Sequence, residues 1–244
     1  MIANRFDLSG QRILVTGAAA GIGAATAEVC ASLGAELVLV DIADSGRVAD
    51  GIARTGGVAT VCRADVSSRA EAERIAGAVG ALDALVLNAA ICPWGEDWTA
   101  PDWDASFERV LAVNVLGPIH FIRAFLPGMM ERNYGRIVAV GSLAGRNGGL
   151  IAGPHYVASK GGVHALVKWL ARQAGPHGVL VNGVAPASVA TSLMADQPVD
   201  LARIPLGRMA QTDEVAWPIA FLCSAAASYI SGAVIDVNGG VYMA

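Results

Sequence analysis

Charged and aromatic residues are scarce in this 244-residue sequence, at 16% and 6% of the chain. The formal net charge is −4 and basic residues form no run, which argues against a nucleic-acid surface and against a patch for anionic membranes. Apolar residues make up 54% of the chain, which is enough for a large core and argues against a disordered protein.

Patterns for disulfides and metals are missing as well. The four cysteines are far apart without a CxxC pair, and the four histidines show no HExxH spacing, so we expect reduced thiols and no metal site. The opening residues, MIANRFDLSGQRILVTG, hold no apolar signal-like region. We therefore expect a cytoplasmic protein.

Two long uncharged stretches, residues 174–195 and 217–235, need to be tested as membrane spans. Each is interrupted by glycine and proline, with asparagine in the first and several serines in the second. A spanning helix needs about twenty mostly apolar residues without such breaks. We interpret both stretches as buried helix–turn–strand segments and expect no membrane association.

Short β-branched apolar runs alternate with helical patterns along the whole chain. This alternation predicts an α/β fold: one domain over residues 1–244, built on a doubly wound parallel sheet with helices on both faces. The predicted strands are 12–16, 36–41, 58–63, 84–88, 136–141, 179–184 and 233–237, and the predicted helices are 21–33, 44–54, 69–79, 101–130, 154–175 and 212–224.

The sequence TGAAAGIG follows the first predicted strand and opens the first helix, with glycines at Gly17, Gly21 and Gly23. Glycines at this point allow a tight turn and a close approach of backbone to a pyrophosphate, and the helix start offers free N–H groups. Three glycines alone also fit a structural turn. The strand before, the helix after and the acid described next favour dinucleotide binding.

That acid is Asp41, at the end of the second strand. A carboxylate there can accept hydrogen bonds from an adenine ribose diol and would repel a 2′-phosphate. The alanines at 18–20 and Ile42 supply no nearby cation, which favours NAD over NADP. Arg47 is the one cation close by in sequence and leaves NADP as an alternative, and a plain turn aspartate is the other reading of Asp41.

Tyr156 and Lys160, in PHYVASKGG, lie one helical turn apart and therefore face the same way. A nearby ammonium favours the phenolate and lowers the pKa of a tyrosine, which can then act as an acid or base. Ser142 ends the preceding strand, where ligands bind in such folds. By themselves, Tyr156 and Lys160 also fit the surface of an exposed helix, and Ser142 by itself also fits a turn.

Four features follow one another along the chain: TGxxxGxG, an Asn-Ala pair, a strand-end serine and YxxxK. In this order they resemble the short-chain dehydrogenase/reductase family. The resemblance extends from TGAAAGIG to the NGG at 238–240. The resemblance implies a single Rossmann-type NAD(P)-binding domain with a seven-stranded parallel sheet, and a homo-oligomer that is a tetramer or a dimer.

The resemblance also implies catalytic roles. Tyr156 would be the acid/base, Lys160 would lower its pKa and bind the nicotinamide ribose, and Ser142 would orient the substrate oxygen. Asn114, in RVLAVNVLG, would hold a water in a proton relay to the lysine. The alternative for Asn114 is a kinked-helix asparagine bonded only to backbone.

Matching positions imply which residues bind the cofactor. Asp65 and Val66 would contact adenine, although Asp65 also fits an N-terminal helix cap. The sequence departs from the family pattern at two places. LNAA, with Leu87 and Ala90, stands where the family has NNAG, and PA at Pro186–Ala187 stands where it has PG. The implied set is Gly17, Gly21, Ile22, Gly23, Asp41, Ile42, Asp65, Val66, Asn88, Ala89, Tyr156, Lys160, Val189 and Thr191.

The sequence therefore predicts reversible hydride transfer between NAD and a secondary alcohol or ketone. An NADP-dependent 3-oxoacyl-thioester reductase and a catalytically silent dinucleotide-binding regulatory protein are the alternatives. We expect the substrate pocket between residues 91–98, 143–155 and 187–206. Polyols, cyclic alcohols, hydroxyacyl thioesters and steroids all fit the sequence.

Overall fold

The computed structural model of the protein describes residues 4–243. Its strands are β1 (Arg12–Thr16), β2 (Glu36–Asp41), β3 (Val58–Arg63), β4 (Ala84–Leu87), β5 (Gly135–Val140), β6 (Val179–Pro186) and β7 (Val234–Val237). Its helices are α1 (Gly21–Ser32), α2 (Gly46–Arg54), α3 (Arg69–Val79), α4 (Trp103–Leu111), α5 (Gly117–Glu131), α6 (Ala144–Asn147), α7 (Pro154–Ala174) and α8 (Thr212–Cys223).

The strands form one seven-stranded sheet in the order β3-β2-β1-β4-β5-β6-β7, and every neighbouring pair is parallel. The chain moves outward from β1 to β3 and then returns to place β4 on the other side of β1. Such a reversal opens a crevice at the carboxyl ends of the central strands. The predicted doubly wound α/β fold is confirmed.

Two apolar cores lie on opposite faces of the sheet. On one face α1, α2 and α8 pack through residues such as Ala27, Ile52 and Ile219. On the other face α3, α5 and α7 pack through residues such as Ile75 and Phe121. Because both faces are covered, the central strands are buried on both sides, which explains their continuous apolar runs.

The helical stretch predicted at 101–130 is not a uniform α-helix. It consists of α4, a π-helical turn at Ala112–Leu116 and α5. Such π-turns are frequent at functional sites. The apolar periodicity on which the prediction rested does not distinguish this turn from α-helix, and the short helix α6 was also not predicted.

One helical stretch, Trp103–Glu131, is long and apolar enough to cross a membrane when only length and composition are considered. Core helices of soluble proteins pass the same test, and this stretch lies against α3 and α7. The stretches 174–195 and 217–235 are helix ends, turns and strands, as predicted.

Candidate active site

A cleft with a cavity volume of about 980 Å³ opens at the carboxyl ends of the strands. The segments that follow β1 to β6 all contribute to its lining, so one cleft receives residues from both halves of the sheet. Of the predicted site residues, all except Gly23 and Asn114 line this cleft.

The three glycines of the loop after β1 are required by geometry. Gly17 has φ +67°, and a Cβ there would lie 2.7 Å from Asn88 Nδ2. Gly21 also has a positive φ, at +58°. Gly23 lies behind the cleft lining, where a Cβ would be 2.0 Å from the Gly17 carbonyl oxygen. The loop can therefore approach a ligand closely only with glycine at these positions.

Asn88 holds the glycine loop in place. Its side-chain Nδ2 donates to the carbonyl oxygens of Thr16 and Gly17, each at 3.0 Å. The backbone N–H groups of Asn88 and Ala89 both donate to the buried Thr16 hydroxyl, at 3.0 and 3.1 Å. The Thr16 hydroxyl thus helps to hold the glycine loop, a role that the TG of the motif does not reveal by itself.

Asp41 lies at the end of the cleft where the adenine ribose was predicted to bind. Its two carboxylate oxygens accept the N–H groups of Ala19 and Ala43, each at 2.9 Å. These bonds fix the carboxylate beside the glycine loop. A further cation besides Arg47 is Arg63, which is paired with Asp41 in the sheet register and donates Nε to the Ile42 carbonyl at 2.9 Å.

Asp65 is not the cap of the following helix. Its Oδ1 accepts from the Ser67 N–H at 2.9 Å and from the Ser67 hydroxyl at 2.7 Å. The cap of α3 is Ser68, whose side chain accepts from the Glu71 N–H. The capping alternative is therefore wrong, because the helix begins too late for Asp65 to reach its first turn. Asp65 and Val66 both line the cleft.

The two departures from the family pattern are compatible with the backbone. Among residues 4–243, Asn133 is the one non-glycine residue with a positive φ, so neither Ala90 nor Ala187 occupies a conformation that needs glycine. Both alanines line the cleft. Their methyl groups therefore narrow the cleft locally without straining the chain.

Ser142 follows β5 and is fixed by its backbone as well as its side chain. Its hydroxyl accepts the Ala144 N–H at 3.1 Å, and its own N–H donates to Nε2 of His164 at 3.4 Å. Burial, with contributions from Arg146 and Lys160, lowers the pKa of His164 to about 4. His164 is therefore neutral at pH 7 and can accept this hydrogen bond.

Tyr156 and Lys160 project into the same cleft from the first two turns of α7. The ammonium nitrogen of Lys160 donates to the Val140 carbonyl oxygen at 2.9 Å and lies 5.6 Å from the centre of the Tyr156 ring. Burial lowers the pKa of Lys160 to about 8. The lysine can therefore exchange a proton near neutral pH.

The pKa of Tyr156 differs from the sequence-based expectation. Burial raises it to about 12, while the Ser142 hydroxyl acts in the opposite direction. The net shift is upward instead of the lowering expected from Lys160, because desolvation disfavours the charged phenolate. Tyr156 is thus a protonated phenol at neutral pH, placed beside the hydroxyl of Ser142.

Asn114 lies in the π-turn, buried behind the cleft. Its Oδ1 accepts the Ile91 N–H at 2.8 Å, and its Nδ2 donates to the Ile91 carbonyl at 2.9 Å and to the Ser159 hydroxyl at 3.0 Å. Asn114 therefore joins the segment after β4 to α7. The alternative of a purely backbone-bonded asparagine is wrong, because Ser159 takes part.

His155 sits beside Tyr156 in a buried cluster. Its ring stacks on Trp103 with centroids 5.4 Å apart, and its Nε2 lies 3.3 Å from Oε2 of Glu96. The neighbouring Ser106 hydroxyl lowers the pKa of Glu96, and the hydrogen bond with His155 adds a smaller effect in the same direction. Nothing in the sequence links His155 to Glu96.

The predicted substrate segments contribute residues to the same cleft as Ser142 and Tyr156. Trp94 donates its indole N–H to the Leu193 carbonyl at 3.0 Å, which joins the segment after β4 to the one after β6. Among residues 4–243 no three histidine, cysteine or acidic side chains come together as a metal site would require. The lining thus brings the glycine loop, the carboxylates of Asp41 and Asp65, and the side chains of Ser142, Tyr156 and Lys160 into one cleft.

Comparison with known proteins agrees with this geometry. A family model described as enoyl-(acyl carrier protein) reductase matches residues 17–242. An L-rhamnose 1-dehydrogenase (NAD(P)(+)) of Azotobacter vinelandii is 34% identical, with 95% of this chain and 96% of the relative covered.

Two solved structures extend the comparison. A 3-oxoacyl-[acyl-carrier protein] reductase of Brucella melitensis with bound NAD is 33% identical at a TM-score of 0.90, covering 98% of this chain and 94% of that one. A 7α-hydroxysteroid dehydrogenase with NADH and 7-oxo glycochenodeoxycholic acid is 32% identical at a TM-score of 0.92, covering 98% of both chains. The chain belongs to the short-chain dehydrogenase/reductase family.

Proposed function

We propose that this protein is an NAD-dependent oxidoreductase that interconverts a secondary alcohol and a ketone. One observation carries the proposal: Ser142, Tyr156 and Lys160 line the same cleft as the glycine loop and Asp41. A nucleotide on the glycine loop could place its nicotinamide near the tyrosine. The bound nicotinamide would accept or donate the hydride at the carbinol carbon.

The protein's own residues would manage the proton. In reduction, Tyr156 donates its phenolic proton to the substrate oxygen as the carbon gains a hydride. In oxidation, the tyrosine takes the hydroxyl proton as the hydride leaves. Ser142 binds the substrate oxygen. Lys160 binds the nicotinamide ribose and, with its pKa of about 8, returns protons to the tyrosine. Asn114 would hold a water in the relay that leads to the lysine.

The preference for NAD rests on Asp41. Its carboxylate is fixed in the cleft by two backbone N–H groups, so it would accept the ribose hydroxyls and repel a 2′-phosphate. Arg63, next to it in the sheet, argues in the other direction. The rhamnose dehydrogenase relative is named for either cofactor, whereas the steroid dehydrogenase holds NADH.

The proposal is tested with a panel of secondary alcohols and NAD, followed at the nicotinamide absorbance. Turnover that depends on Tyr156 supports it. A protein that binds NAD and turns over nothing in the panel would instead be a silent dinucleotide-binding regulator. We further propose that the protein is cytoplasmic and forms a homo-oligomer, a tetramer or a dimer. Light scattering on the purified protein can check the oligomeric state.

A second candidate is a 3-oxoacyl-thioester reductase, favoured by the similarity to the Brucella melitensis enzyme. Assaying an acetoacetyl thioester with NADPH and NADH separates the two functions. Faster turnover of the thioester with NADPH than of any simple secondary alcohol with NAD would select this candidate.

A further inference from the structure

We propose that the substrate is a secondary alcohol or ketone with an apolar carbon skeleton beside the reacting carbon, rather than a polyol or a sugar acid. The inference rests on the proposed function and narrows its substrate class. It concerns the wall of the cleft that is built from the predicted substrate segments, beyond the residues predicted to bind the nucleotide.

Apolar side chains dominate this wall. They come from the segment after β5, from the segment after β4 and from the segment after β6, and the largest are Trp94, Leu143, Leu150, Ile151, Leu193 and Met194. Three of them are exposed although large and apolar: Leu150 at 68%, Ile151 at 43% and Leu193 at 42%. A hydrocarbon group in the cleft would remove this surface from water.

The polar atom of the one aromatic residue in this set is already satisfied. The indole N–H of Trp94 donates to the Leu193 carbonyl, so the ring has no donor left for a substrate hydroxyl. What the ring can offer is its apolar surface. The same bond joins the segment after β4 to the segment after β6 on this wall.

The charged side chains that line this part of the cleft lie at its rim. Arg203 and Asp200 are 3.6 Å apart and their side chains are 63% and 64% exposed, so each faces the other and water. Arg109 is also exposed. In the described lining, the buried cation is Lys160, which donates to the Val140 carbonyl. A substrate carboxylate would meet no buried cation besides this lysine.

These features discriminate between substrate classes. The hydroxyl groups of a polyol would lose water against leucine and isoleucine and would find few partners, since the uncharged polar side chains that these segments add to the lining are Asn147, Ser188, Thr191 and Ser192. Each methylene group that is transferred from water into the cleft would strengthen substrate binding about fourfold. The wall therefore selects alkyl and cyclic hydrocarbon skeletons.

The experiment compares 2-butanol, 2-hexanol, 2-octanol and cyclohexanol with myo-inositol and D-gluconate, all with NAD. We expect kcat/KM to rise about fourfold per methylene along the 2-alkanols until the wall is covered. Leu150→Asn should flatten this rise. Leu206→Asn is the matched control, since Leu206 is 67% exposed but lies outside the cleft lining.

Binding gives a second readout that does not need turnover. The Tyr156→Phe protein loaded with NADH is titrated with 2-butanone, 2-hexanone and 2-octanone in a calorimeter. An affinity that rises with chain length supports the inference even where no alcohol is oxidised. In that case the missing turnover would contradict the proposed function alone. Faster turnover of inositol or gluconate than of every apolar alcohol, or affinity independent of chain length, overturns the inference.

Discussion

The backbone N–H of Tyr156 donates a hydrogen bond to Nδ1 of His155, the residue before it, at 2.8 Å. Because a backbone N–H can only donate, Nδ1 must accept, and the neutral imidazole then carries its proton on Nε2, facing Glu96. The imidazole therefore connects the first turn of α7, which bears Tyr156, to the segment between β4 and α4.

Replacing His155 by asparagine or glutamine separates its two bonds. The amide of asparagine reaches the position of Nδ1 and keeps the bond from Tyr156, whereas the amide of glutamine reaches the position of Nε2 and keeps the bond to Glu96. If the first bond positions the tyrosine, kcat falls by about three- to tenfold in His155→Gln and less in His155→Asn. Steady-state kinetics measure both, with the affinity for NADH as control.

An equal fall of kcat in the two variants would contradict this role. In that case the ring acts through its packing on Trp103, which both substitutions remove. Urea unfolding of each variant shows whether the loss of activity simply follows a loss of stability.

Gly23→Ala tests the geometry of the glycine loop. The added methyl would lie 2.0 Å from the Gly17 carbonyl oxygen, so the loop must shift and NADH affinity should fall by more than about tenfold. Gly77→Ala in α3 is the control, because a Cβ there has open space around it. It should leave NADH affinity unchanged and add about 0.5–1 kcal/mol to the free energy of unfolding. Equal affinity in both variants would be inconsistent with this geometry.

The strands, most helices and the lining of the cleft could be predicted from the sequence because they depend on local patterns. Buried strands between two layers of helices need apolar runs, and a nucleotide turn needs glycines at fixed spacing. Gly17, Asp41, Ser142 and Tyr156 were found in this way, and they line one cleft.

Other features depend on contacts between distant segments, which no local pattern encodes. The Thr16 hydroxyl acquires its role through Asn88, seventy-two residues later. The high pKa of Tyr156 arises from burial, which a local sequence pattern does not show. Arg63 comes next to Asp41 only because β2 and β3 pair in the sheet.

Asp41→Ser tests the choice of cofactor. Removing the carboxylate removes its repulsion of a 2′-phosphate, and the ratio of kcat/KM with NADP to that with NAD should rise by about tenfold, equivalent to about 1.4 kcal/mol. Asp44→Ser is the control, since Asp44 is an exposed carboxylate outside the cleft lining. A ratio that changes equally in both variants, or not at all, would show that Asp41 does not set the preference.

His164 should make the protein sensitive to acid. Its pKa is lowered on folding from 6.5 to about 4, so the unfolded chain binds the proton more readily. Stability from this group is complete above pH 6.5 and is lost as the pH falls toward 4. His164→Gln keeps an acceptor for the Ser142 N–H but cannot titrate, so its urea midpoint should fall less than that of the parent between pH 7 and pH 4.5. Parallel curves for the two proteins would refute this assignment.

The central claim is that Tyr156 is the acid/base of a nicotinamide-dependent oxidation. The most direct measurement is kcat of the Tyr156→Phe protein with NAD and the best secondary alcohol of the panel, together with its affinity for NADH. We predict a fall in kcat of about 10²- to 10⁴-fold with NADH affinity changed by less than about twofold. Full turnover in the variant, with NADH still bound, would contradict the account.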